Sequence, residues 1–354
     1  MKATNYKVPT NFYNIVKWAA IFIIIGGIKL SRPIVLPLFI ALFVSITLSL
    51  PIGYLVKKKV NRGLAILLVL IVFGGSFFFM GEVIGTKFSQ FAENAPKYAQ
   101  IFNEKMAGTE MGDFMDDTVT GSQDKNKIMG FVFSTLSEVQ RVIGQIVFIS
   151  ILTLFMVFEL DVFPIKFRAI FGNKGNKTAS KNLGLITVNI TRYLGIKTVS
   201  SFFTGLFIYI GLRVIGVDYA VLWALLAFLF NFIPNIGSMI AAIPALMFVW
   251  LQLGNTGFFW AGMVFLFVNM IIGSVIEPKI LGKGMGLSTF VVFLSLVFWG
   301  WVLGPIGMFL SIPLTMALKI IMTANSSSMY FSILLGTREE AEKIISNDKS
   351  DEND

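Results

Sequence analysis

Apolar residues in this chain come in long continuous runs rather than in alternation. They cover 15–30, 34–56, 64–84, 142–163, 193–217, 219–251, 257–276 and 287–322. Runs of that kind read as transmembrane helices, whereas a barrel would show short alternating segments. Two runs are too long for one crossing. A continuous helix over 219–251 would extend roughly 50 Å, against a hydrocarbon core of about 30 Å, and 287–322 is longer still. Both are interrupted near the middle. The first contains Asn231-Phe232-Ile233-Pro234-Asn235-Ile236-Gly237, the second Phe298-Trp299-Gly300-Trp301-Val302-Leu303-Gly304-Pro305-Ile306-Gly307. Proline cannot donate a backbone hydrogen bond and glycine weakens a helix. Such a break is tolerated at membrane depth only where protein or a watery cavity covers the freed groups.

The two breaks resemble each other. Each has an aromatic pair, then Pro, then Ile-Gly, and later Ile-Pro (Ile243-Pro244 and Ile312-Pro313). The Gly-to-Pro spacings differ by one residue, so the repeat is imperfect. Two topologies satisfy the pattern. If each long run crosses once, the loop at Glu277 lies outside. If each folds back on itself, the first enters from outside and the second from inside, and the loop carrying Lys279 and Lys283 is cytoplasmic. Both solutions leave the termini cytoplasmic. The second keeps more positive charge inside and makes 193–251 and 257–322 an inverted pair with tips near the midplane, an arrangement that builds central sites in secondary transporters. The expected fold is therefore an all-α polytopic membrane protein of about six full transmembrane helices plus two opposed broken-helix re-entrant hairpins forming an inverted repeat.

Polar segments divide the chain. Lys57-Lys58-Lys59-Val60-Asn61-Arg62 is a strongly basic loop and the clearest cytoplasmic marker. Residues 86–142 are acidic on balance, with apolar residues at helical spacing (Phe88, Phe91, Ala95, Tyr98, Phe102) and a turn-like stretch at 121–127. Expected units are N-terminal spans (1–85), an extracytoplasmic amphipathic helical module (86–141), a fourth span with a basic cytoplasmic segment including Lys197 (142–192 and just beyond), a transport core (193–322) and a cytoplasmic tail (323–354).

Composition agrees with the class: 55% of the 354 residues are hydrophobic and 14% charged. The net charge of +9 reports basic loops rather than a nucleic-acid surface. Histidine and cysteine are both absent. Disulfides and the usual zinc sites are thereby excluded, and any proton-coupled step must use carboxylates or lysine. No nucleophile–base pair suggests an enzyme, and no cofactor is expected. Gly282-Lys283-Gly284-Met285-Gly286 lacks the Gly-Lys-Ser/Thr ending and preceding strand of a phosphate loop. Gly282, Gly284 and Gly286 read instead as a hinge or tight turn.

The candidate solute-binding residues are Asn231, Pro234, Asn235, Gly237 and Ser238 at the first tip, and Trp299, Gly304, Pro305 and Gly307 at the second. Amides and freed backbone groups there suit a small polar solute or a cation held by carbonyls. A Pro-kinked helix whose Asn residues bond a neighbour would look the same. Glu277 is a candidate coupling carboxylate, with Lys279 or Lys283 as partner, although an interfacial ion pair would carry the same residues. Asp218 is a second coupling candidate, and Asn269 either joins helices or lines the path.

These motifs, with Glu277-Pro278-Lys279 and Pro313-Leu314, resemble the autoinducer-2 exporter (AI-2E) family over nearly the whole chain, most closely the quorum-signal transport protein branch. Asn235 and Ser238 stand where many members carry an aromatic residue and a proline. The resemblance implies a permease of the bacterial inner membrane that exports a small solute, with autoinducer 2 the substrate of some members, and homo-oligomers; export is expected to be driven by an ion gradient, H⁺ or Na⁺, or to run downhill. Other members are described as sodium/proton antiporters. A non-transporting scaffold that uses residues 86–141 to bind partners is the reading from another class.

Overall fold

Apolar runs without competing backbone partners become helices, because lipid leaves no other way to satisfy the main chain. The computed structural model describes residues 10–106, 145–171, 176–234, 236–281, 286–323, 329–339 and 341–342. Its elements are α1 (Thr10–Leu30), α2 (Arg32–Lys57), α3 (Arg62–Met106), α4 (Ile146–Phe171), α5 (Asn176–Ile215), α6 (Ala220–Phe230), α7 (Gly237–Val268), a π-helical stretch (Asn269–Ile276), α8 (Glu277–Leu281), α9 (Thr289–Leu303), α10 (Pro305–Phe309), α11 (Ser311–Thr323) and α12 (Met329–Leu334). Asn235, Gly282, Lys283, Gly284, the 121–127 stretch and most of the tail lie outside the described residues.

Among the described residues, four stretches are long and apolar enough to cross a membrane: Arg32–Lys57, Arg62–Phe91, Val188–Ile215 and Gly237–Ile280. Large apolar side chains such as Phe22, Ile23, Val72, Phe78 and Val214 stand fully outward, as a lipid-facing surface requires. The chain is a multi-pass helical membrane protein. The last of the four stretches is bent at Gly254, whose φ of 69° and ψ of −160° are not helical.

α3 runs for 45 residues, about 68 Å, and passes through position 85 without a break. Its C-terminal part carries the amphipathic stripe seen in the sequence. Phe91 and Tyr98 are buried there. Phe91 packs on Tyr219, Trp223 and Phe248 at ring separations of 5.7, 6.0 and 5.6 Å, so the stripe docks on the start of α6 and on α7.

The segment 219–251 doubles back. Gln252 Oε1 accepts from the Asp218 N–H at 2.8 Å, and Gln252 Nε2 donates to the Gly216 carbonyl at 3.2 Å. The two ends of the run therefore lie side by side. Trp223 packs against Phe248 between the two arms, ring centres 5.3 Å apart and planes tilted by 36°, and Ala227, Ala241 and Ala245 are buried in the same cluster. Such small residues let helices approach closely. The segment 287–322 doubles back as well. Lys319 Nζ donates to the Gly286 carbonyl, and Trp299 Nε1 donates to Thr315 Oγ1 at 3.0 Å across the arms.

Candidate functional site

Each turn of these two hairpins is built around a glycine that admits no side chain. A methyl group on Gly237 would overlap the carbonyl oxygen of Phe230, seven residues earlier. One on Gly307 would overlap the carbonyl oxygen of Trp299, eight residues earlier. In both places the returning helix starts by pressing its backbone against the last turn of the incoming one. Gly304 has φ +77° and ψ −159°, a region essentially restricted to glycine. Pro305 follows at the first helical position, where its missing N–H costs nothing.

The two turns meet. The rings of Phe232, at the first, and Phe309, just past the second, stack at 4.5 Å with an interplanar angle of 21°. Asn231 is buried, and its Nδ2 donates to Ser201 Oγ on α5 at 3.0 Å. Pro234 is buried beside it, and Ser238 is half-buried on the first turn of α7. At the second turn the guanidinium of Arg32, the first residue of α2, lies directly over the Cα of Gly304, in the place a side chain would take. Lys29 Nζ stands 3.8 Å from the centre of the Trp301 ring.

α5 links this junction to a buried ion pair. Lys197 Nζ is 2.6 Å from Glu277 Oε1, with side chains only 6% and 13% exposed. Ser200 Oγ is 3.4 Å from Glu277 Oε2. Ser200 and Ser201 are consecutive, so one α5 segment touches Glu277 and the first turn at once. Glu277 follows the π-helical stretch, and Pro278 comes next. A proline ring clashes with the carbonyl four residues back, and the wider π turn relieves that clash. π turns often mark functional positions. One helical turn before Lys197, the buried Tyr193 hydroxyl has no hydrogen-bond partner among the described residues, and neither has the indole N–H of Trp223.

The sequence-derived candidates thus fall into three places. Asn231, Pro234, Gly237 and Ser238 lie at the first turn and Gly304, Pro305 and Gly307 at the second, the two turns touching through Phe232 and Phe309, while Trp299 bridges the arms of the second hairpin. Glu277 is nearby through α5, and its partner is Lys197 rather than Lys279, which is exposed. Asp218 lies at the far end of the first hairpin. There Tyr98 donates to Asp218 Oδ2 at 3.3 Å, and burial together with the negative Asp218 pushes the Tyr98 phenol above the ordinary tyrosine range. Gly286 is at the base of the second hairpin. Sequence reasoning passes over Arg32, Ser200, Ser201, Phe232 and Phe309. It also assigns Lys197 to a cytoplasmic basic run, although a lone cation entering an apolar run signals a buried partner.

Comparison with known proteins places this architecture. The family model described as AI-2E family transporter matches residues 18–327. A Haemophilus influenzae protein with a provisional transport-protein name is 34% identical over 334 residues, 91% of this chain and 95% of its own length. YhhT of Escherichia coli K12, also provisionally named for transport, is 33% identical over 92% of this chain and 95% of its own. The E. coli K12 protein named AI-2 transport protein TqsA is 33% identical over 88% of this chain and 92% of its own.

Proposed function

We propose, from the premise that this chain belongs to the AI-2E transporter family, that it is a secondary transporter exporting a small polar solute across a bacterial inner membrane. Autoinducer 2 is the leading candidate, because a relative of matching length carries that solute in its name. The observation that carries the reading is the stack of Phe232 on Phe309: two broken helices bring their turns together inside the molecule. In this reading α1 to α5 and the stretch from Gly254 to Leu281 are six full crossings with both termini cytoplasmic. The hairpins on either side of Gly254–Leu281 enter the bilayer from opposite faces as an inverted pair. The phenylalanine stack is the constriction, and rocking of one hairpin against the other opens it.

A second reading is favoured by one specific observation, the buried Lys197–Glu277 pair next to the Ser201–Asn231 contact. It makes the protein a cation/proton antiporter, or couples solute export to protons or sodium, with Glu277 exchanging lysine for the coupling ion.

The chain has no native cysteine, which makes a direct test simple. Phe232→Cys and Phe309→Cys, introduced together and joined by a short bifunctional thiol reagent, abolish efflux of labelled autoinducer 2 from proteoliposomes; each single variant, treated alike, keeps it. Unchanged efflux after complete cross-linking would remove the constriction from the mechanism. Proton movement on adding Na⁺, lost in Glu277→Gln, would instead establish the antiport reading.

A further inference from the structure

We propose that Arg32, held over Gly304, is the anion-recognising group of the solute path, and that the solute is a small organic anion with carboxylate- or phosphate-like oxygens. This rests on the transporter reading and adds the substrate class to it. The argument starts from charge. No Asp or Glu occurs in residues 1–81 or in 278–338. α1, α2 and α9 to α11, which surround the second turn, therefore contain no carboxylate, and residues 176–215 of α5 contain none either. Glu159 of α4 is engaged by Lys166 at 2.7 Å and lies toward the other end of α2, where Val157 and Leu160 face Ile52 and Gly53. Among the described residues the Arg32 guanidinium has neither an ion pair nor a hydrogen bond.

Arg32 opens α2 at the end opposite the basic 57–62 loop, so in the proposed topology it stands at the outer end of that crossing, and with no counter-charge nearby it is available to an anion. Its guanidinium seats on the bare Cα of Gly304, a position that glycine's unusual backbone angles and missing side chain both preserve. Lys29, one turn earlier, is fixed on Trp301 three residues before that glycine. Two cations thus flank one side of the second turn, close to where it meets the first. A planar fork of N–H donors in such a place suits bidentate binding of a carboxylate or phosphate-like group. Phospholipid headgroups offer the same oxygens, but the guanidinium points to the turn rather than outward along the helix.

The test uses the full-length chain in phosphatidylcholine nanodiscs, titrated with methylphosphonate at fixed ionic strength and read by tryptophan fluorescence. Saturable binding is expected, weakened about tenfold or more in Arg32→Gln and in Gly304→Ala, and less in Arg32→Lys. Should Arg32→Gln fail to fold, Arg32→Lys and Lys29→Gln carry the comparison. Identical titrations for wild type and Arg32→Gln would overturn the proposal. So would a signal produced by phosphatidylglycerol in the disc but not by methylphosphonate, which marks a headgroup contact. Efflux of labelled autoinducer 2 that is unchanged by Arg32→Gln sinks the anion assignment and leaves transport standing. Intact methylphosphonate binding in a protein that moves no labelled solute sinks the transporter reading instead.

Discussion

Gly237 and Gly304 resist substitution for different physical reasons, and the two can be separated. At Gly237 the obstacle is the Phe230 carbonyl, a piece of backbone that cannot rotate away. Gly237→Ala should destabilise by about 1–3 kcal/mol, the usual cost of overpacking. At Gly304 the obstacle is the backbone angle itself, worth a similar ~1–3 kcal/mol, and Gly304→Ala also unseats Arg32. Thermal unfolding in detergent measures both, and a wild-type midpoint for either would contradict the geometry. Lys197 offers a sharper contrast. Lys197→Met strands a buried carboxylate and should cost about 3–5 kcal/mol, whereas Lys197→Met with Glu277→Leu should recover most of that loss. Equal destabilisation by the single and double changes would show that the pair contributes packing rather than charge. Glu277 was legible from its setting beside Pro278, but its partner was not. Lys197 is 80 residues away, and only the packing of α5 against the π-helical stretch brings it there.

At the scale of elements, the most readable features were those with a local cause. The length of the apolar runs and the Pro/Gly interruptions are written in adjacent residues, but the choice between folding back and crossing once is not, because the same interruptions suit a kinked single span. The helical stripe Phe88, Phe91, Tyr98 was equally readable as amphipathic. What it covers was not, because nothing near residue 91 mentions residues 219, 223 or 248. The consequence is that α3 is both a crossing and a strut. Its C-terminal third closes over the base of the first hairpin, with Asn94 Nδ2 donating to the Tyr219 hydroxyl at 3.0 Å and that hydroxyl donating to the Gln90 carbonyl at 3.2 Å. Phe91→Ala empties a buried aromatic position in contact with Tyr98, Tyr219, Trp223 and Phe248 and should cost about 3–5 kcal/mol. Tyr98→Phe removes one hydrogen bond and should cost about 1 kcal/mol. If the strut holds the hairpin, Phe91→Ala also speeds hydrogen exchange in α6 and the first half of α7 while leaving α9 and α11 unchanged. Uniform loosening of both hairpins would mean that α3 stabilises the molecule as a whole rather than this element.

For the whole molecule the decisive question is on which face each hairpin opens. The bonds from Gln252 to Asp218 and Gly216 place both ends of the first hairpin together, and the Lys319–Gly286 bond does so for the second. Between the two bases runs the stretch from Gly254 to Leu281, about 40 Å of helix, long enough to put them on opposite surfaces. Thr256, at the near end of that stretch, and Thr323, at the end of α11, are both exposed. If the hairpins are opposed, Thr256→Cys reacts with a membrane-impermeant maleimide from outside the cell and Thr323→Cys reacts only once the cytoplasmic face is opened. If each long run instead crossed once, both positions would be cytoplasmic. The accessibility of Thr256→Cys in intact cells therefore discriminates between the two topologies, with Lys58→Cys in the basic loop as the inside reference. Shielding of Thr256→Cys from the outside would dismantle the inverted pair, and with it the idea that the Phe232–Phe309 stack is approached from two sides.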